Sequence, residues 1–117
     1  MPGAESPIFS RCYDLLLWLI PLTLKFPRQQ RFVIAEATQR AALGLHERLI
    51  EASHAAPAET SGALGKADIE LDKLRHYLRL CRDLDLISTG QYEHAAGKLA
   101  EIGRLLGGWR KSSHQAS

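Results

Sequence analysis

The chain has 117 residues, 45% of them hydrophobic and 24% charged, with a formal net charge of +2. That length and balance fit one domain with its own buried core and exclude a disordered chain or a two-domain protein. A surplus of two positive charges is too small to decide anything by itself, so any affinity for a polyanion rests on where the cations lie.

Residues 1–117 read as a single domain, with 1–6 and 112–117 as flexible tails. The opening MPGAES carries an acid and no cation, unlike a secretory leader. Helix one is predicted from about Ser6 to Leu24, with Pro7 in its first turn and Pro21 bending its last by removing a hydrogen bond to the Leu17 carbonyl. Its apolar run Leu15 to Leu24 is about half of the ~20 residues that a membrane span needs. Leu15, Leu16, Leu17, Trp18, Leu19 and Ile20 point all round the helix, so the segment needs cover on more than one side. Helix two is predicted from Pro27 to about His54, with Phe32, Ala35, Ala42, Leu43, Leu49 and Ile50 as its apolar face and Gln39 and His46 set into it.

Residues 55–65, AAPAETSGALG, read as a linker. Helix three is predicted from about Ala63 to Ile87, with a core stripe of Leu71, Leu74, Leu78 and Cys81. A second apolar stripe, Tyr77, Leu80, Leu84 and Ile87, exceeds what one protomer needs and is the expected oligomer interface. Ser88 with Gln91 three residues later reads as a capping box opening helix four. The stripe of that helix is Tyr92, Ala95, Ala96, Leu99, Ile102, Leu106 and Trp109. Gly103 lies on it, where a missing Cβ permits close approach, and Gly107 with Gly108 could end the regular helix. No alternating strand pattern occurs, so the expected fold is all-α, an antiparallel up-down four-helix bundle.

Arg75, Arg79 and Arg82, at i, i+4 and i+7, fall on one strip of helix three. Like charges at this spacing repel, and an anionic partner would turn that repulsion into binding energy. The alternative is a solvated face on which Asp68, Asp72 and Asp85 pair with the arginines. Lys25, Arg28 and Arg31 crowd an already electropositive helix start and form a second candidate for nucleic-acid contact. Arg104, Arg110 and Lys111 collect near the end of helix four, where the helix dipole accounts for cations and phosphate contact is a further option. Arg40, with Glu36 one turn earlier, reads as an exposed ion pair.

Signals for catalysis are weak. Glu51-Ala-Ser-His54 matches the ExxH of carboxylate-bridged metal bundles, but the second copy such a site requires has Gln91 in the ligand position of Gln91-Tyr-Glu-His94. His46 reads as a hydrogen-bonded core residue. No catalytic residue, metal site or cofactor is expected. Cys12 and Cys81 lie far apart and read as reduced thiols, which suits the cytoplasm.

Tyr13-Asp14-Leu-Leu-Leu-Trp18, Lys25-Phe-Pro-Arg-Gln-Gln-Arg-Phe32, Leu71-Asp-Lys-Leu-Arg75 through Arg82-Asp-Leu, and Gln91-Tyr-Glu-His94 with Glu101-Ile-Gly-Arg-Leu-Leu-Gly-Gly-Trp109 carry a resemblance. Over residues 8–111 the chain is similar to the accessory variability determinant, Avd, of diversity-generating retroelements, a family sharing its bundle with proteins encoded in ribosomal RNA intervening sequences. The resemblance implies a non-catalytic four-helix bundle assembled as a ring-like homo-oligomer, a homopentamer, with a positive surface that binds RNA and DNA. It also implies association with the element's reverse transcriptase during mutagenic copying of a template RNA, the cDNA replacing a variable region of a target gene. A free-standing RNA-binding assembly protein of the intervening-sequence type is the alternative.

Overall fold

The computed structural model describes residues 6–116, without the side chains of Gln30, Arg31, Gln115 and Ala116. Helix α1 spans Pro7–Thr23. Helix α2 opens as one turn at Arg28–Gln30, widens into a π-helical turn at Arg31–Ala35 and continues as Glu36–His54. Helix α3 spans Pro57–Asp83 and α4 spans Thr89–Ala116. Each helix packs on the next, and α4 closes the ring on α1, with no strand among the described residues. The molecule is a rod of 46 × 24 × 21 Å, consistent with the roughly 42 Å expected of α4 at 1.5 Å per residue.

One register runs through the three long helices. Thr60, Leu64, Ala67, Leu71, Leu74, Leu78 and Cys81 are buried on α3 at alternating steps of four and three. Ala35, Thr38, Ala42, Leu45, Leu49 and Ala52 do the same on α2, and Ala95, Leu99, Ile102, Leu106 and Trp109 on α4. A step averaging 3.5 residues keeps one seam facing the neighbours over many turns, which is how bundles bury a continuous core. Buried threonines do not interrupt it. Thr38 Oγ1 donates to the Ile34 carbonyl at 2.7 Å and Thr60 Oγ1 to the Ala56 carbonyl at 3.1 Å, so neither hydroxyl is left unsatisfied. The π turn sets the start of this register. Counted back from Ala35 at the same steps, Arg31 and Arg28 would fall on the buried seam of an unbroken α-helix. The one extra residue of a π turn rotates the preceding segment, and Arg28 emerges exposed.

The turn between α3 and α4 is specified almost residue by residue. Asp85 takes the left-handed conformation, φ 59°. The Leu86 amide then donates to the Cys81 carbonyl at 2.8 Å and the Asp85 amide to the Arg82 carbonyl at 2.9 Å, the paired bonds of a Schellman stop. Three residues later the chain restarts as the sequence foresees. Gln91 N donates to Ser88 Oγ at 3.0 Å and Ser88 N to Gln91 Oε1 at 2.9 Å, a complete capping box.

Several sequence expectations need correction. Residues 55–65 are not a linker: Pro57 occupies the first turn of α3, and the connection shrinks to Ala55 and Ala56. Proline is preorganised for that position, and the two glycines that follow cost the helix less than packing returns. Helix α4 passes through Gly107 and Gly108 and on to Ala116, so 112–116 are helical; residues 1–5 and 117 lie outside the described residues. Phe32, Leu43 and Ile50 are exposed, while Thr38, Ala41 and Leu45 take the core face of α2: at 100° per residue the buried seam of Ala35, Thr38, Ala42, Leu45 and Leu49 leaves Leu43 and Ile50 about 100° to one side. The second stripe of α3 is broken as well. The helix stops at Asp83, and the reversal at Asp85 carries Ile87 inward, where it is 5% exposed and part of the protomer's own core. Leu80 and Leu84 stay exposed, and Tyr77 is half-buried beside Ala41 and Gly44 of α2.

Candidate nucleic-acid interface

At 100° per residue, Asp68, Arg75, Arg79 and Arg82 lie along the edge of α3 that faces α4. The contacts agree. Asp68 Oδ2 pairs with Arg110 Nη1 of α4 at 3.0 Å, and the Arg82 guanidinium lies 4.3 Å from the ring centroid of Tyr92. Arg75 reaches across to α4, where a Cβ on Gly103 would stand 2.6 Å from its Nη2. Gly103 thus makes room for a guanidinium, with Leu71 Cδ2 at 3.5 Å, rather than for another helix backbone.

The carboxylates that spacing offers to these arginines are engaged elsewhere or stand apart. Asp68 takes Arg110, Asp72 approaches His76 at 3.9 Å, and Asp85 sits in the turn. Arg82 pairs with its neighbour Asp83 at 3.2 Å. Among the described residues, Arg75 and Arg79 make no ion pair. Two uncompensated guanidiniums therefore stand one helical turn apart, with a third stacked on an aromatic ring at the end of the row. Such groups suit bidentate contact with phosphate oxygens.

The other predicted cations are dispersed. Lys25, in the turn that joins α1 to α2, and Arg28, the first residue of α2, are exposed at the same end of the rod as Arg82; the Arg31 side chain lies outside the described residues. Arg110 is neutralised by Asp68, and Lys111 is exposed near the opposite end. Arg104 contributes, after Arg11, to holding the Glu101 carboxyl below its usual range, the Arg11 hydrogen bond being the larger cause. Arg40 pairs with Glu36 at 3.1 Å, as its spacing requires.

The opposite side of the ring of helices has a different chemistry. Tyr13 of α1 meets His46 of α2 at 6.4 Å between ring centroids, and Gln39 Nε2 donates to Thr23 Oγ1 at 2.8 Å. These contacts fix the α1/α2 seam, along which helical spacing places Leu17, Leu24, Leu43 and Ile50. Leu17 and Leu24 are 61% and 60% exposed, and Phe32, at the head of α2, is 74% exposed. The α1 half of this face answers the expectation that helix one needs cover on more than one side; sequence reasoning misses the α2 half because it assigns Phe32, Leu43 and Ile50 to the core. His46 departs from expectation too: Nδ1 is buried with no hydrogen-bond partner, and burial pushes the imidazole below its usual pKa, opposed weakly by Glu47.

Among the described residues no three His, Cys, Asp or Glu side chains come together as a metal site would require. Burial pushes the Cys12 thiol up to about 12 and raises Cys81, leaving both as packing residues. No helix among the described residues is long and apolar enough to cross a membrane.

Comparison with curated proteins finds no match. Comparison with known families does: residues 8–113 match the bAvd-like family, the whole bundle from the start of α1 to the last turn of α4. The chain therefore belongs to the bAvd-like family, that of the bacterial accessory variability determinant.

Proposed function

We propose that this protein is the non-catalytic accessory subunit of a diversity-generating retroelement. In this reading it binds nucleic acid and the element's reverse transcriptase and supports mutagenic copying of a template RNA. The observation that carries the nucleic-acid part is the arginine row of α3, with Arg75 and Arg79 left without carboxylate partners on a face of otherwise modest charge. Each phosphate contact releases a condensed counterion, so affinity should fall steeply as salt rises. Lys25 and Arg28 extend the cationic surface at one end of the rod, and Lys111 at the other.

The same reading has the protomer assemble with copies of itself into a ring-like homo-oligomer, a pentamer in the form the family resemblance implies. The α1/α2 seam supports this, since Leu17, Leu24 and Phe32 expose apolar surface that a monomer would be expected to cover. Leu80 and Leu84 add a smaller apolar patch on α3. Polymerisation belongs to the partner.

The test is a titration of labelled RNA across a salt series, with co-purification of the neighbouring reverse transcriptase. Arg75→Glu with Arg79→Glu should abolish RNA binding while leaving the helical content unchanged. Unaltered affinity in that variant, or an encoding locus with neither a reverse-transcriptase gene nor adenine-differing repeats, would overturn the assignment.

A further inference from the structure

Between α3 and α4 lies a recess of about 220 Å³, lined by Arg75, Leu78, Tyr92, Ala96, Leu99 and Ala100. Its floor is apolar because Leu78 and Leu99 belong to the buried seam, and it is open because Ala96 and Ala100 put only methyl groups on the exposed edge of α4. One rim carries the unpaired Arg75; Tyr92, with Arg82 already laid on its ring, makes a wall. An apolar slot between guanidiniums, bordered by an existing cation–π stack, fits a flat heterocycle attached to a phosphate chain.

We propose that this recess takes an unpaired nucleobase, so that the α3/α4 face binds single-stranded nucleic acid in preference to duplex. The inference rests on the nucleic-acid reading above and sharpens it. The base lies on Leu78 and Leu99 and extends the Arg82–Tyr92 stack, while Arg75 and Arg79 hold the flanking phosphates. Base pairing hides that surface, so a duplex meets only the arginines. Charge selects this occupant over an apolar side chain of a protein, since no carboxylate lines the recess. A larger hollow between α2 and α3 is unlike it: Glu51 and Glu59 line that one together with His54 and Lys66, and no aromatic ring borders it for a base to stack on apart from the imidazole.

The experiment measures fluorescence anisotropy of labelled oligo(dA), an abasic strand of equal length and the matching duplex. The expected order is oligo(dA) about tenfold or more tighter than the abasic strand, the energy of base stacking on an aromatic platform. Ala96→Leu with Ala100→Leu fills the recess from two exposed helical positions without touching charge. It should bring oligo(dA) down to the abasic level and leave duplex affinity unchanged. Tyr92→Leu should act in the same direction, with Tyr92→Phe restoring the preference. Equal binding of oligo(dA) and abasic strand by the unaltered protein, or a filled variant that keeps its preference, overturns the base pocket while the phosphate contacts stand. A filled variant that binds every strand as before but loses the reverse transcriptase overturns it in favour of a protein contact. If none of the three probes binds in dilute salt, both the pocket and the nucleic-acid reading fall.

Discussion

The α1/α2 face and the α3/α4 face are built on one heptad register yet end in opposite chemistries. On the first, the positions flanking the buried seam are Tyr13, Leu17, Leu24, Leu43 and Ile50; on the second they are Arg75, Arg79 and Arg82 opposite Ala96, Ala100 and Gly103. The difference teaches that the core positions specify the bundle, whereas the positions one step outside them decide what each side can meet. An apolar flank favours a like surface that excludes water. A guanidinium flank over small residues leaves charge standing above a shallow, dry floor.

The strongest way to separate the two faces is a reciprocal pair of variants. Arg75→Glu with Arg79→Glu should lower RNA affinity by more than a hundredfold at low salt and leave the sedimentation profile unchanged. Leu17→Glu with Leu24→Glu should do the reverse, abolishing the proposed self-association while the protomer keeps its circular dichroism, because both side chains are largely exposed. If either variant abolishes both properties, the faces are not independent.

A smaller effect concerns the shared core and the apolar seam. Leu74→Ala should cost about 2–5 kcal/mol in urea unfolding, since the side chain is fully buried. His46 carries a sign in pH. Its folded pKa lies below the ordinary 6.5, so the unfolded chain binds the proton more readily. Its contribution is constant above that value and turns against the fold as pH drops below it. His46→Leu should flatten the acid side of the stability profile, where the unaltered protein loses stability.

The smallest effects sit around α3. Gly103→Ala should raise helix stability by up to about 1 kcal/mol and yet swing the Arg75 guanidinium off α4, so that a more stable protein binds RNA differently. Asp85→Gly should stabilise by a few tenths to about 1 kcal/mol, because only glycine holds the left-handed conformation without a Cβ penalty. A loss of stability at Asp85→Gly would mean that the carboxylate holds the turn in some other way.

Much of this was legible in the sequence, and what was hidden has particular causes. The α3 core stripe, the Ser88/Gln91 capping box, the Arg40–Glu36 pair and the Arg75–Arg79–Arg82 strip follow from spacing alone, since local geometry dictates them. The face of α2 was half legible: Ala35, Ala42 and Leu49 are buried as spacing predicts, but Leu43 and Ile50 flank that seam on the exposed side while Thr38 and Leu45 take the buried one, a choice between flanks that depends on where the neighbouring helices pack. Residues 55–65 look like a linker by composition, but a helix under tertiary packing tolerates Gly62 and Gly65, and Pro57 is a helix start as readily as a break. The fate of Asp68, Asp72 and Asp85 was equally hidden. Spacing offered them to the arginines, and only the approach of Arg110 from α4 shows why Asp68 is taken.

Hydrogen exchange read by mass spectrometry, at low and high protein concentration and with and without RNA, bears on the two faces at once. The expected result is slowed exchange in 13–24 and 39–50 as concentration rises, and in 75–82 and 92–103 when RNA is added. Protection by RNA along α1 and α2, with α3 and α4 unchanged, would contradict the account.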